Sequence, residues 1–290
     1  MAHVMLFGAS GTIGRAARTA LNAAGHVVTA PARGADFRAS VLAARPDVVM
    51  SCLASRTGAP ADAEAVDHQL NAAILEAAIA AGVPHFILLS AICVQRPRLA
   101  FQHAKLAFEA KLRAAPIRAT IVRPTAYFKS LSGQVDRLRA GKPFLVFGDG
   151  TLTACKPISD TDLGRYLALC VTDESLQGRI LPIGGPGPAL TPRAQGKLLF
   201  EALGLPPCFR QVPVALLSGI IGALRVAGFR DKAELARIGR YYATESMLVW
   251  TEAGYDADAT PEFGSDTLAE HYARLAAGGV ADDRHAPAIF

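Results

Sequence analysis

The chain has 290 residues, of which 51% are hydrophobic and 19% are charged. That composition supplies a large apolar core and excludes a mostly disordered chain. The five cysteines lie far apart and form no C-x-x-C pair. Their pattern argues against a disulfide framework or a zinc ribbon and favours a reducing compartment.

The ends of the sequence and its most apolar run bear on location. The first residues lack the basic region and cleavage site of a secretory signal, so we expect no export and a cytoplasmic location. The most apolar run, Val212–Leu224, has 13 residues. Because about 20 residues are needed to cross a bilayer, we expect no membrane-spanning segment.

The net charge of +5 is concentrated in one stretch. Residues 96–142 contain eleven Lys or Arg and two acids, a local charge of +9, so the rest of the chain carries −4. No aromatic platform or reading-helix motif accompanies these charges, which disfavours nucleic acid as a partner. A small anionic ligand and a merely solvated basic face both fit the pattern, and peripheral contact with an anionic membrane surface stays open.

Strand and helix patterns alternate along the first two thirds of the chain. Because the strands are apolar on both faces, the alternation predicts an α/β fold with a doubly wound parallel sheet of Rossmann type. The predicted strands are Val4–Phe7, His26–Ala30, Asp47–Leu53, His85–Ser90, Ala119–Val122 and Ile180–Ile183. The predicted helices are Arg15–Ala24, Ala63–Ala81, Phe101–Ala114 and Ser159–Val171.

The alternation of predicted strands and helices ends near residue 190. We predict a dinucleotide-binding Rossmann domain over 1–190, with part of 126–157 facing a substrate. From Thr191, helical patterns are separated by prolines, which predicts a smaller, mostly helical substrate-binding lobe over 191–277. Residues 278–290 are expected to form a flexible tail.

A glycine-rich loop follows the first predicted strand and opens the first helix. In such a loop one glycine permits a tight turn, one lets backbone N–H groups approach a pyrophosphate, and one lets the helix pack closely on the strand. The helix N-terminus adds partial positive charge for the phosphates. The loop therefore predicts dinucleotide binding by Gly8, Ser10, Gly11, Thr12, Ile13 and Gly14.

The spacing G-x-x-G-x-x-G resembles the short-chain dehydrogenase/reductases in their extended or atypical branch. NAD enzymes usually place an acid at the end of the second strand, whereas Ala30–Arg33 contains none and Asp36 is the first acid beyond it. Arg33 can pair with a 2′-phosphate, so NADPH is favoured. The superfamily resemblance implies further cofactor contacts from Cys52, Leu53, Ala54, Lys105 and Pro124.

Members of that superfamily commonly use a Ser, and a Tyr four residues before a Lys on a helix. Ser90 ends a predicted strand, and Lys105 shares a helical face with Phe101, Phe108 and Leu112. A lysine on an inward-facing stripe is costly unless it is paired or binds a ligand. Because position 101 is phenylalanine, the phenolic acid that serves ordinary carbonyl chemistry is missing.

Two classes of protein fit that departure. One is an enzyme that reduces a carbon–carbon double bond, and the other is a redox-sensing regulator of NmrA type that binds NADP(H) without turnover. A reductase of a smaller conjugated alkene, similar to isoflavone reductases, is a further alternative.

Several segments outside the glycine loop are more specific. They are SCLASR (51–56), LLSAICVQ (88–95), FQHAKLAFE (101–109), RPTAYFKSL (123–131), FGDG (147–150), ACKPIS (154–159), LPIGGPG (181–187) and IGRYYATESM (238–247). Together they resemble the divinyl (proto)chlorophyllide 8-vinyl reductases of chlorophyll and bacteriochlorophyll biosynthesis.

The resemblance implies NADPH-dependent reduction of a pigment's 8-vinyl group to ethyl, in the cytoplasm or the plastid stroma. A vinyl group conjugated to a macrocycle can accept hydride because the ring delocalises the developing charge. Lys105, Ser90 and Tyr127 are the expected catalytic residues, with Tyr127 a candidate acid.

The pigment itself suggests the remaining partners. Its propionate would favour a cation and its ring an apolar cleft, of which Val212–Leu224 is a candidate wall or a core helix. The candidate substrate-binding residues are Cys93, Phe128, Lys129, Lys156 and Arg240. Magnesium would arrive with the pigment, so we expect no protein metal site.

Overall fold

The computed structural model describes residues 1–32 and 34–278. Its strands are β1 (His3–Phe7), β2 (Val27–Thr29), β3 (Val48–Ser51), β4 (His85–Leu89), β5 (Arg118–Pro124), β6 (Phe144–Phe147), β7 (Ile180–Ile183), β8 (Phe209–Val212), β9 (Val249–Thr251) and β10 (Gly254–Asp256). Six of them form a parallel sheet in the order β2-β1-β3-β4-β5-β7. The prediction of an α/β fold with a parallel sheet is confirmed.

The α-helices are α1 (Thr12–Ala23), α2 (Phe37–Ala44), α3 (Pro60–Ala63), α4 (Asn71–Ala80), α5 (Ala100–Ala114), α6 (Val135–Arg139), α7 (Asp160–Thr172), α8 (Pro192–Leu203), α9 (Val214–Val226), α10 (Arg230–Thr244) and α11 (Leu268–Ala276). A π-helical segment, Glu64–Leu70, joins α3 to α4, and short 3₁₀ turns occupy Ile92–Gln95 and Phe128–Leu131. The continuous helix predicted over Ala63–Ala81 is therefore wound differently in its first half.

The chain divides into two compact units. The first unit comprises Met1–Pro124 and Asp160–Ile183, and the second comprises Thr125–Ser159 and the residues from Gly184 onward. This division differs from the boundary expected at 190, because the segment after β5 leaves the main sheet and its strand β6 pairs with β8.

The first unit holds the six-stranded sheet. Strands β3 and β4 are buried along their whole length, as expected for parallel strands covered on both faces. Helix α7 lies so close to α1 that a Cβ on Gly164 would stand 2.6 Å from the carbonyl carbon of Ala16. The register aligns Phe7 with Ser51 and Ser51 with Leu88, so these strands end at one edge of the sheet.

The second unit has a core of its own around α8, α11 and the β6–β8 pair. Strands β6 and β8 are parallel, and β9 and β10 form an antiparallel hairpin, so the predicted lobe is less purely helical than expected. The core includes the buried side chains of Phe128, Phe144, Leu199, Phe200 and Tyr272.

Candidate active site

The glycine loop lies between β1 and α1 in the conformation that the sequence predicts. Gly8 has φ +78°, and a Cβ there would stand 2.7 Å from the carbonyl oxygen of Cys52. A Cβ on Gly14 would stand 2.0 Å from the carbonyl oxygen of Gly8. Neither position accepts a side chain unless backbone moves, so both glycines are required by the protein's own packing.

Gly11 differs from the other two glycines. A Cβ there would meet only the Gly8 carbonyl oxygen at 3.4 Å, an ordinary contact, so the protein leaves room above this backbone. Gly11 supplies no side-chain cap to α1, and the first turn of that helix contains no acid. Open space over a helix N-terminus suits a phosphate group, so the loop fits a dinucleotide.

The next cofactor-facing segment follows β3. The Cys52 amide donates to the Phe7 carbonyl over 2.9 Å, which holds this segment beside the glycine loop. Burial raises the pKa of the Cys52 thiol to about 12, so the thiol stays protonated at neutral pH and is a poor nucleophile. Leu53 is half-buried and Ala54 is exposed.

At the end of β2, the described residues Ala30–Ala32 carry no acid. Asp36, the first acid beyond them, caps α2 by accepting a hydrogen bond from the Ala39 amide over 3.0 Å. It is therefore already used in a helix cap. Arg33, the predicted 2′-phosphate ligand, lies outside the described residues.

Lys105 on α5 points toward the π-helical segment. Its Nζ donates to Oδ1 of Asp67 over 2.8 Å, and the two side chains are 11% and 0% exposed. The prediction that this lysine faces inward and needs a partner thus agrees with its surroundings. The partner itself was not foreseen, because it lies 38 positions away in the sequence.

A chain of hydrogen bonds holds Asp67 in place. The Ser55 amide donates to both carboxylate oxygens over 3.4 Å, and the Asn71 side-chain amide donates to the Asp67 carbonyl over 3.3 Å. The side chain of Asn71 in turn accepts from the Ser51 hydroxyl over 2.6 Å. Lys105 is therefore coupled, through Asp67, to the end of β3 on which the cofactor segment lies.

Ser90 directly follows β4 and is buried, but its partner is neither lysine nor tyrosine. Its hydroxyl donates to Oε1 of Glu109 over 2.5 Å, and Glu109 also accepts from Nε of Arg123 over 3.2 Å and forms an ion pair with that guanidinium. The Glu109 side chain is 3% exposed. The Ser90 hydrogen is thus directed into a buried ion pair.

Spacing alone offered a signal for part of this network. Glu109 lies four residues after Lys105 on α5 and therefore on the same helical face. Asp67, Asn71 and Arg123 carried no comparable signal, since only the packing of separate elements brings them together.

Phe101, Cys93 and Pro124, three other predicted residues of the first unit, are buried. Phe101 is buried, as the apolar stripe predicts. Cys93 is buried in the 3₁₀ turn after β4, and its carbonyl accepts from the Gln102 side chain over 3.0 Å. Pro124 is buried at the end of β5. Burial of the Cys93 side chain is typical of a small structural thiol.

In the second unit, the predicted substrate residues do not share one environment. Phe128 lies in the core, with its ring centroid 5.4 Å from that of His271. Lys156 is buried and pairs with Oε1 of Glu262 over 2.5 Å. Lys129 and Tyr127 are half-buried, and Arg240 is exposed on α10.

The described residues contain neither a metal-binding cluster nor a membrane-spanning helix. Among residues 1–32 and 34–278, no three His, Cys, Asp or Glu side chains are grouped so that they could hold a metal ion. Within those same ranges, no helix has the length and apolar character needed to cross a bilayer.

Comparison with known proteins adds a family and a fold. Residues 36–174 match a family model described as NAD(P)H-binding. The chain is 49% identical over 247 residues to divinyl chlorophyllide a 8-vinyl-reductase, chloroplastic, of Cucumis sativus, covering 81% of this chain and 59% of that protein. The Arabidopsis thaliana protein of the same name is 47% identical over 248 residues, or 81% and 60% of the two chains.

Among solved structures, an NADPH-dependent quinone oxidoreductase from Escherichia coli, determined with NADPH, has a TM-score of 0.66 at 17% identity. The alignment covers 94% of this chain and 99% of that one. A UDP-glucose 4-epimerase from Thermotoga maritima, determined with UDP-glucose, has a TM-score of 0.60 at 19% identity, over 72% and 85% of the two chains. At such identities the likeness shows the fold alone.

The chain spans about 60% of the length of the curated relatives that it matches. Over the aligned part nearly half of the residues are identical. The NAD(P)H-binding family model begins after the glycine loop and covers much of the first unit, together with Thr125–Ser159 of the second. Over most of its length the chain is therefore similar to the divinyl chlorophyllide 8-vinyl-reductases, and it has an NAD(P)H-binding domain of Rossmann fold.

Proposed function

We propose that this chain reduces the 8-vinyl group of a divinyl chlorophyllide or protochlorophyllide to ethyl, with NADPH as reductant. The observation that carries the proposal is the pair formed by Lys105 and buried Asp67, beside a loop that fits a dinucleotide and without a tyrosine at position 101. The site thus retains the lysine of a reductase but lacks the acid for carbonyl chemistry. The names of the plant relatives supply the substrate class.

The preference for NADPH over NADH rests on the end of β2. Asp36 is engaged as the cap of α2, so it is not a free carboxylate for a ribose 2′-hydroxyl. Arg33 supplies a cation that can pair with a 2′-phosphate. Gly8, Ser10, Gly11, Thr12, Ile13 and Gly14 would hold the pyrophosphate, while Cys52, Leu53, Ala54 and Pro124 would line the rest of the cofactor.

When bound, the nicotinamide supplies hydride to the conjugated vinyl group. Asp67 accepts only one of the three N–H bonds of the Lys105 ammonium group. The other two N–H bonds would let Lys105 bind the nicotinamide ribose, the role that the superfamily resemblance implies. Asp67 fixes the direction of the lysine side chain and neutralises its charge. Ser90, whose hydrogen is donated to Glu109, acts as a hydrogen-bond acceptor toward the site.

The second vinyl carbon must also receive a proton. Tyr127 is the candidate acid in the chain, and a water held by Lys105 is the other source. Neither route needs a developing oxyanion to be stabilised, since the macrocycle delocalises the charge.

On the substrate side, the pigment's propionate requires a cation. Lys129, Lys156 and Arg240 are the candidates; Arg240 is exposed on α10, whereas Lys156 is buried and paired with Glu262. Cys93 and Phe128 would contribute through the walls they pack behind rather than through exposed surface. The activity would take place next to pigment-bearing membranes, in the chloroplast stroma or the bacterial cytoplasm.

The experiment is anaerobic incubation of the purified chain with divinyl chlorophyllide and either NADPH or NADH, followed by chromatographic separation of vinyl and ethyl products. We expect conversion with NADPH and a loss of at least a hundredfold in rate for Lys105→Met. Lys111→Met is the matched control, because Lys111 lies on the same helix but pairs with Glu76 at the surface. The control variant should retain full activity.

Binding is measured separately, by the fluorescence change of NADPH on titration. NADPH binding without conversion of the pigment would contradict the reductase proposal and leave the regulator. Conversion of a small conjugated enone in place of the pigment would instead identify an ene-reductase of other specificity.

A further inference from the structure

Helices α9 and α10 form a hairpin in the second unit whose apolar surface is largely exposed. The run Val212–Leu224 was expected to form a cleft wall or a core helix, but α9 has only one buried residue, Ile221. Its surface includes Leu216 at 54%, Ile220 at 41% and Val226 at 92% exposure. Large apolar side chains that stand out from one helix need a partner or a surface.

The exposed residues of α9 lie on one continuous arc. At 100° per residue, the arc begins with exposed Arg225 and Ser218 and continues through Gly222, Ala215, Val226, Gly219, Ala223, Leu216 and Ile220. Apart from Arg225 and Ser218 at its edge, every member of the arc is apolar. The half-buried Val214, Leu217 and Leu224 flank Ile221 on the opposite side, toward α10, which packs against α9.

Basic side chains surround the end of this arc. Arg225 is exposed near the end of α9, and Arg230 and Lys232 are exposed at the start of α10. Between them the exposed Phe229 packs under the Lys232 ammonium, which stands 5.0 Å from the ring centroid. Over residues 214–244 there are five Lys or Arg and two acids, and one of those acids, Glu234, is paired with Arg237.

We infer that this hairpin is a docking surface for an anionic lipid bilayer. An apolar helical face bordered by cations is the arrangement that lies in the plane of a membrane interface, with apolar side chains below the headgroups and Lys and Arg among the phosphates. The helix has 13 residues and cannot cross the bilayer, so it would lie along the surface.

The test is flotation of the purified chain with vesicles. We expect binding to vesicles of phosphatidylcholine with 25% phosphatidylglycerol, at least tenfold weaker binding to pure phosphatidylcholine, and release at high salt. Val226→Asp with Phe229→Asp should reduce binding to the anionic vesicles at least tenfold. The control is Leu42→Asp, at an apolar residue of the first unit that is 47% exposed.

The contribution of charge is tested by Arg225→Gln with Arg230→Gln and Lys232→Gln. Its control is Lys142→Gln, at an exposed cation of the basic stretch over residues 96–142. Loss of binding in the hairpin variant but not in the control supports the inference, and the reverse result overturns it in favour of the basic stretch. No binding by the parent chain, or a dimer in sedimentation that Val226→Asp dissolves, also overturns it.

Circular dichroism melts show whether each variant is folded. Vesicle binding needs neither cofactor nor pigment, so it can fail while reduction of the vinyl group succeeds, and the reverse also holds.

Discussion

The same residue type has opposite roles in the glycine loop and in helix α9. A Cβ on Gly8 or Gly14 would meet backbone atoms at 2.7 or 2.0 Å, whereas a Cβ on Gly219 or Gly222 would meet nothing within 4 Å. In the loop, glycine is required by neighbouring backbone. In the hairpin it leaves a small-residue surface facing outward.

The difference extends to the charged residues of the two regions. In the first unit Lys105 and Glu109, which share α5, form ion pairs with residues of other elements, Lys105 with buried Asp67 and buried Glu109 with Arg123. In the hairpin Arg230 and Lys232 are exposed around an apolar face. A site that binds one small molecule needs fixed geometry, whereas a surface that meets lipids needs only apolar area and charge.

The largest expected effect comes from Gly14→Ala. The new methyl group would overlap backbone that cannot rotate away, so we expect a loss of about 4 kcal/mol or more in the free energy of unfolding, together with loss of NADPH binding. Urea denaturation and NADPH titration measure the two effects. In contrast, Gly11→Ala should leave stability nearly unchanged and weaken only NADPH binding. Equal loss of stability in both variants would contradict the distinction drawn between the two glycines.

The Lys105–Asp67 pair is next in magnitude. Asp67→Ala leaves a buried cation without its partner, which should cost about 3 kcal/mol of stability. Glu76→Ala removes the shared acid of two exposed pairs, with Arg38 and Lys111, and should cost less than about 1 kcal/mol. The double variant Asp67→Asn with Lys105→Met should recover stability but not activity, as measured by denaturation and turnover. Recovery of both would show that the pair has only a structural role.

The buried His85 of β4 makes the stability of the first unit depend on pH. Burial, with a smaller contribution from Arg118, lowers the pKa of His85 from its ordinary 6.5 to about 4. Between these values the unfolded chain binds a proton that the folded chain does not, so stability falls as pH decreases from 6.5 to 4, by about 3 kcal/mol in total.

His85→Gln should remove that part of the pH dependence, since an amide can still donate to the Thr120 hydroxyl that His85 contacts over 2.8 Å. His103→Gln, at an exposed position on α5, is the control. Denaturation midpoints between pH 4 and 7 give the comparison. The same slope in the parent and in His85→Gln would refute the assignment.

The smallest expected effect is Gly222→Ala in α9. Alanine fits the open space there and favours helix, so we expect a gain of up to about 1 kcal/mol in the free energy of unfolding. A thermal melt suffices to measure it. Destabilisation would mean that the exposed arc of α9 is covered in solution. Gly222 would then be required by packing, as Gly8 and Gly14 are.

Local patterns were sufficient for much of the first unit. The parallel sheet, the glycine loop and the inward direction of Lys105 follow from residue spacing, because strand and helix periodicities and glycine requirements act over a few neighbouring residues. The π-helical segment was not foreseen, since its sequence also suits an ordinary helix. It is here that Asp67 and Asn71 take their positions relative to Lys105 and Ser51.

The structure of the second unit is harder to predict from the sequence. The segment after Pro124 was assigned to the Rossmann domain, whereas its strand β6 pairs with β8, some sixty residues later. Such a pairing has no local signature, because either strand would suit a different neighbour equally well. The exposure of α9 was hidden for a related reason, since an apolar helix has the same sequence whether it is buried or not.

The sequence by itself therefore determined the fold class, the glycine loop and the likeness to the 8-vinyl reductases, all of which depend on short-range spacing or on residue identity. Only the tertiary structure decided the partners of Lys105, Ser90 and Lys156, and which apolar helix stays uncovered. The physical reason is that ion pairs and burial depend on which distant elements meet, and the free energy of each such contact depends on everything packed around it.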